Sequence, residues 1–255
     1  MEIRIFFTSA HCRDENVTKL PFSRIFDVDT SKEISKIITQ RLRTRNVSFF
    51  ANECIADHIS DEERKELLKE VTEKVEDLLR SLIIDIEHDH NARNTASRIA
   101  KTYINETMKG RYHKAPYPVE FPNTRQLDEP YTLGPITVRS TCSHHFAPIL
   151  GKIWIGVLPS THGVIGISKF NRITDWIMSR PHIQEESVIM LADYIEKRIE
   201  PKGLAIMMRA KHLCMSWRGV KDDNTTMTSS VMRGDFLNNP ELQGRFFNMI
   251  ESRNP

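Results

Sequence analysis

The sequence predicts an α+β fold in which helices come first and an antiparallel sheet follows. Three observations carry that expectation. Leu67, Leu68, Val71, Val75, Leu78, Leu79 and Leu82 recur at helical spacing. Further on the period changes to two, with Ile149, Gly151, Ile153, Ile155 and Val157 on one side of an extended segment. Between the two patterns, Pro116, Pro118, Pro122 and Pro130 break up any regular element and mark a connector.

Taken in order, residues 1–50 open on a short alternating stretch at 3–7 and carry a helical patch at 32–43; no function is read there, and they are expected to be an extension of unknown role. Residues 51–255 are expected to form the functional domain, with helices at 60–110 and a catalytic core at 130–255. Ser60 with Glu63 forms a capping box that starts the first long helix. A second helix is expected from Asn94, carrying Ile99, Tyr103, Ile104 and Met108, and stopping at Gly110. Ile136 and Val138, then the residues around Ile153, predict paired half-buried strands. Helices are expected at 168–180 and 184–199, split at Pro181, with strands at 204–210 and 225–233. The pattern shows no internal repeat and no low-complexity tract.

A chain of 255 residues with 39% hydrophobic and 27% charged side chains can bury a sizeable core without disulfides. Its 36 basic and 34 acidic side chains leave a net charge of +2, so nothing global argues for nucleic acid or a membrane surface. Any anion site must be local. Apolar stretches are too short to span a bilayer, and the first residues lack the apolar core of a signal peptide, which predicts a cytoplasmic protein. In a reducing compartment four cysteines are metal ligands, catalytic thiols or core residues more often than disulfide partners. Cys12 and Cys54 have only His11 and His58 near them in sequence and read as ordinary thiols.

The other two cysteines lie among histidines. Cys142 and His145 have the C-x-x-H spacing with which a tight turn aims sulfur and nitrogen at one ion, zinc being the natural candidate. Downstream, His212 and Cys214 alternate along an expected extended segment and would point the same way. Three good ligands, Cys142, His145 and Cys214, without a convincing fourth describe a catalytic zinc, with His144 and His212 beside the two halves as acid and base. The competing reading is a structural zinc in which His144 or His212 completes a tetrahedron.

Polar residues in the intervening sequence suit a nucleotide. Ser168 and Lys169 open a helix and Arg172 lies one turn on, so backbone amides, an ammonium and a guanidinium can converge on phosphate. Glu185 follows Gln184 at another helix start. It is either a favourable first-turn carboxylate or a bidentate acceptor for the N1–H and exocyclic amine of guanine.

From about residue 60 onward the chain resembles type I GTP cyclohydrolases. The family pattern S-x-C-x-H-H before a G-K strand falls on residues 140–152, G-x-S-K-x-x-R on 166–172 and R-x-x-x-Q-E on 180–185. A-x-H-x-C-M and the following R-G pair fall on 210–219. Several motifs in order are far more specific than any one of them. The resemblance implies a tunnelling fold, whose subunits pair sheets edge to edge into pentameric rings stacked as a decamer, with active sites between subunits. It makes Cys142, His145 and Cys214 the zinc ligands and His144 and His212 the proton-transfer residues. Glu185 and Gln184 would contact guanine, while Arg98, Ser168, Lys169, Arg172 and Arg218 would hold the triphosphate. It further implies opening of the GTP imidazole ring at C8, loss of formate and formation of 7,8-dihydroneopterin triphosphate, a first step toward folate, other pterins or deazaguanines.

One departure is plain: Ser143 stands where the family usually has glutamate, a variant that looks most like phage-borne members. Two other classes compete. A nitrile-reducing oxidoreductase on the same fold would need NADPH and a catalytic cysteine, against which the paired histidines and the second cysteine argue. A non-catalytic, zinc-stabilised ring protein that binds nucleotide has only Ser143 in its favour.

Overall fold

The computed structural model describes residues 33–117, 120–160 and 163–251, so the alternating start at 3–7 and Cys12 lie outside the described residues. Helix α1 (Ile34–Thr44) buries Ile38 and Leu42 against Ile55, with Ile59 and Tyr112 alongside. A 3-10 turn (Ala56–His58) leads into α2 (Asp61–Ser81). The capping box forms as the sequence predicts: the Glu63 amide donates to Ser60 Oγ at 3.1 Å and the Ser60 amide donates to Glu63 Oε2 at 2.9 Å.

Helix α3 (Thr95–Lys101) packs on α2 through Ala96, Val75 and Leu79, passes into a π-helical segment (Thr102–Thr107), and ends in α4 (Lys109–Tyr112). The helical run therefore continues past Gly110. That glycine serves packing and does not act as a stop, because a Cβ there would lie 2.0 Å from the Trp176 carbonyl oxygen.

After the proline-rich connector, β1 (Glu120–Pro122) pairs with β4 (Gly163–Ile165) as a small antiparallel ribbon. Among the described residues the main sheet has five strands in the order β5-β2-β3-β6-β7: β2 (Tyr131–Cys142), β3 (Pro148–Leu158), β5 (Pro181–His182), β6 (Gly203–His212) and β7 (Met227–Gly234). All its ladders are antiparallel except the two-residue pairing of β5 with β2. The result is the α+β architecture read from the sequence.

Alternation along the strands sends side chains to two cores. Ile149, Ile153, Ile155 and Val157 face α5 (Ile167–Met178) and α6 (Gln184–Ile199), which supply Phe170, Ile173, Ile177, Leu191 and Ile195. Burial of each such side chain contributes roughly 1.5–3 kcal/mol. On the opposite face Trp154, Leu158, Ala205 and Met207 meet α8 (Asp235–Asn238) and α9 (Pro240–Glu251) through Phe236, Phe246 and Ile250. These last two helices were not expected from the sequence pattern. Helix α5 ends at Met178, two residues short of the expected boundary, since Ser179 and Arg180 lead into β5.

Ladder register brings the functional segments together. Ser140, near the end of β2, and His212, the last residue of β6, are both opposite Ile149 at the start of β3. The C-terminal ends of β2 and β6 thus flank one strand at one end of the sheet.

Candidate metal centre and substrate site

A tight turn carries the first half of the site. The Cys142 amide donates to the Ala147 carbonyl at 2.8 Å, the Phe146 amide donates to the Cys142 carbonyl at 2.9 Å, and Phe146 takes a left-handed φ of 50° to close the loop. Two outside contacts hold it. The Ser143 amide donates to the His182 carbonyl at 3.0 Å, and the Phe146 ring lies 6.2 Å from that of Tyr103 in the π-helical segment. His182 itself is buried, donates from Nε2 to the Ile177 carbonyl at 2.6 Å, and is pushed down to about 4 by desolvation, so it remains a neutral strut at ordinary pH.

The second half differs from its expected geometry. His212 ends β6, but the chain then turns into the single helical turn α7 (Leu213–Ser216), which contains Cys214. The extended alternation of His212 and Cys214 is therefore not what aligns them; the strand-to-helix transition does.

Ligand atoms of Cys142, His145 and Cys214 all lie within 4.8 Å of one another, and among the described residues no other group of three His, Cys, Asp or Glu side chains does so. The donor set fits zinc: two thiolates and an imidazole at this spread can close on one ion with bonds of about 2.0–2.3 Å. Burial and the neighbouring Cys142 thiol both push the Cys214 thiol up, and a divalent cation between the two sulfurs reverses that preference. Neither His144 nor His212 joins the cluster, though His144 Nδ1 is 3.8 Å from Cys142 Sγ.

His212 is half-buried, and desolvation lowers its pKa while the Glu185 carboxylate pulls it the other way. Its Nε2 is 2.8 Å from Gln184 Oε1. Gln184, expected at the substrate, is only 1% exposed, and its amide nitrogen is directed at Ser229 Oγ and at the Met227 and Met208 carbonyls. Ser229 carries no sequence signal that would have singled it out.

The remaining residues lie at the surface. Ser168, Lys169 and Arg172 occupy the first two turns of α5, and Arg98 is exposed on α3. None of Arg98, Lys169 and Arg172 pairs with a carboxylate among the described residues, which leaves these cations available to a ligand. Arg218 donates from Nη1 to His145 Nε2 at 2.9 Å, next to the metal-binding cluster. Glu185 is exposed in the first turn of α6. Arg180 of the R-x-x-x-Q-E segment turns inward instead: it stacks 4.0 Å over Trp176, donates to the Asn52 carbonyl at 3.0 Å, and is lowered to about 10 by burial.

A cavity of about 540 Å³ opens beside the turn, lined by Phe50, Asn52, Ser143, Ile183, Glu186 and Met190. It contains none of the three metal-binding candidates, so the chemistry marks the Cys-His-Cys cluster rather than this cavity as the site. No helix among the described residues is long and apolar enough to cross a membrane.

The GTP cyclohydrolase I family model matches residues 71–251. The GTP cyclohydrolase 1 of Flavobacterium johnsoniae is 33% identical over 194 residues, covering 76% of this chain and 84% of that protein. Those of Blochmanniella pennsylvanica and Haemophilus ducreyi are 34% and 32% identical over 182 residues, covering 69% and 71% of this chain and 81% and 83% of theirs. Among solved structures, the apo archaeosine synthase QueF-Like covers 48% of this chain and 97% of its own at 13% identity and a TM-score of 0.32, too weak a likeness to bear on the fold. A family match over most of the chain, joined to the motifs gathered at the ends of β2 and β6, means that this protein belongs to the GTP cyclohydrolase I family.

Proposed function

We propose that the chain converts GTP to formate and 7,8-dihydroneopterin triphosphate: water is added across the C8–N bonds of the guanine imidazole ring to release formate, and the opened ribose then rearranges and recloses onto the freed amine with loss of water. The observation that carries this reading is the meeting of Cys142, His145 and Cys214 within 4.8 Å, with His144 and His212 alongside, in a member of this family. Cys142, His145 and Cys214 would hold zinc. Zinc supplies Lewis acidity that activates water for attack near neutral pH.

The protein's own groups bind and move protons. Glu185 accepts from guanine N1–H and the exocyclic amine, and so orients C8. Ser168, Lys169 and Arg172 at the start of α5, with Arg98 and Arg218, take up the triphosphate through charge-assisted hydrogen bonds and the α5 helix dipole. His212 delivers a proton to N7, and His144, 3.8 Å from Cys142 Sγ, carries protons as the ring opens and formate leaves.

In the same reading the sheet is a tunnelling fold, residues 51–255 are the catalytic domain, and residues 1–50 extend it. Subunits join as two stacked pentamers in the cytoplasm, with active sites completed between them. Incubation of purified protein with GTP tests the activity: formate release together with a pterin chromophore is expected. Consumption of NADPH with a nitrile substrate and no formate from GTP would favour the oxidoreductase.

A further inference from the structure

We propose that Gln184 is the positioning residue of His212 and not a substrate contact, and that it fixes the rotation of the imidazole and the ring nitrogen that carries hydrogen toward the buried amide. The inference rests on the proposed role of His212 and deepens it. Three hydrogen-bond partners decide the orientation of the Gln184 amide. The Met208 and Met227 carbonyls, at 3.4 and 3.2 Å from the amide nitrogen, can only accept, so NH₂ and not oxygen must face them. Ser229 Oγ at 2.9 Å takes the same side.

Oε1 is thereby turned to His212. A side-chain carbonyl oxygen has no proton to give, so the 2.8 Å contact requires His212 Nε2 to carry hydrogen and donate it. This holds whether the ring is neutral or cationic. The contact leaves Nδ1 as the ring nitrogen turned away from Gln184. The anchor is rigid, because Gln184 is 1% exposed and braced on two strands, β6 through Met208 and β7 through Met227 and Ser229. A residue with this placement determines tautomer and ring rotation, whereas a guanine contact would need its amide to face the solvent-accessible side of the site.

The test begins with the wild-type holoenzyme. In magic-angle-spinning spectra of histidine-¹⁵N-labelled protein, at a pH where the ring is neutral, the His212 signal, assigned by its loss in His212→Ala, is expected as the Nε2–H tautomer. An Nδ1–H tautomer overturns the proposal without any variant of Gln184. Gln184→Leu, of similar shape but with no acceptor, is expected to lose that tautomer preference. Its kcat should fall about 10-fold or more, with zinc content kept and the KM for GTP within about threefold of wild type. A loss confined to KM, with the tautomer unchanged, would return Gln184 to the substrate site and overturn the proposal. Should the leucine variant fold poorly, Ser229→Ala loosens the same amide from one side and is expected to give a smaller kcat loss in the same direction; an unchanged kcat and an unchanged tautomer there count against it. Failure of the underlying role shows separately, as full turnover by His212→Ala.

Discussion

Arg41 of α1 pairs with Glu63, the same carboxylate that closes the capping box of α2, its Nη1 lying 2.8 Å from Oε2. One side chain thus ties the N-terminal helix to the start of the next. The guanidinium holds the Glu63 carboxyl down to about 2 from its ordinary 4.5. A carboxyl with a depressed folded-state pKa stabilises the fold above its unfolded value and loses that contribution as pH falls from about 4.5 toward 2. Both side chains are partly exposed, so solvent screening reduces the pair to about 1 kcal/mol. Glu63→Gln isolates the ion pair, because glutamine still serves in a capping box. Its melting temperature is expected to lie below wild type at pH 7, with the gap narrowing as the pH falls to 3. A constant gap across that range would mean that the pair is not its source.

Metal content is the next test. About one zinc per chain is expected in wild type, and loss of most of it in Cys142→Ala and in Cys214→Ala, since each removes one of the three proposed ligands. The main core is built from Ile153, Ile155, Leu191 and Ile195 and needs no metal to pack. Chelation is therefore expected to abolish turnover while helix content stays within about a tenth of the starting value. Unfolding on chelation would indicate a structural ion instead, and full zinc retention in both variants would reassign the ligands.

Glu185→Gln keeps the shape of the side chain but presents an amine to the two donors of guanine. The lost and mismatched hydrogen bonds are expected to cost about 2–4 kcal/mol, roughly 30- to 1000-fold in kcat/KM for GTP. Inosine triphosphate lacks the exocyclic amine and is expected to lose less. Measuring both substrates decides it: an unchanged ratio would leave Glu185 as a first-turn carboxylate that stabilises α6 and nothing more.

Much of this site was legible because its parts are local. The C-x-x-H spacing of Cys142 and His145 corresponds to a real turn, and the Ser60–Glu63 box starts a real helix. The sequence pattern was misleading where tertiary packing took over. Gly110 reads as a helix stop, yet it is the point where α4 touches the backbone of Trp176. His212 and Cys214 read as strand alternation, yet a helical turn begins between them. Gln184 reads as part of a substrate-facing pair with Glu185. Its neighbours Met208, Met227 and Ser229 are brought in by β6 and β7 from more than twenty residues away, and no local pattern announces them. Helices α8 and α9 went unread because Phe236, Phe246 and Ile250 make sense only against Trp154 and Met207 on the far face of the sheet.

His212→Ala separates metal binding from proton transfer. His212 lies two residues before Cys214, but its Nε2 is engaged by Gln184, and it stands outside the group of three ligand atoms within 4.8 Å. Removing the imidazole should leave the zinc in place and GTP bound. In the proposed role, what is lost is a positioned acid and base, a contribution of roughly 10²- to 10⁴-fold in rate. Turnover is therefore expected to fall at least about 100-fold at wild-type zinc content and a nearly unchanged melting temperature. If His212 were a fourth ligand, the same variant would shed its zinc and melt earlier. Zinc content, melting temperature and formate release on that one protein distinguish the two outcomes, and a zinc-depleted, unstable His212→Ala would remove this histidine from the proton-transfer machinery.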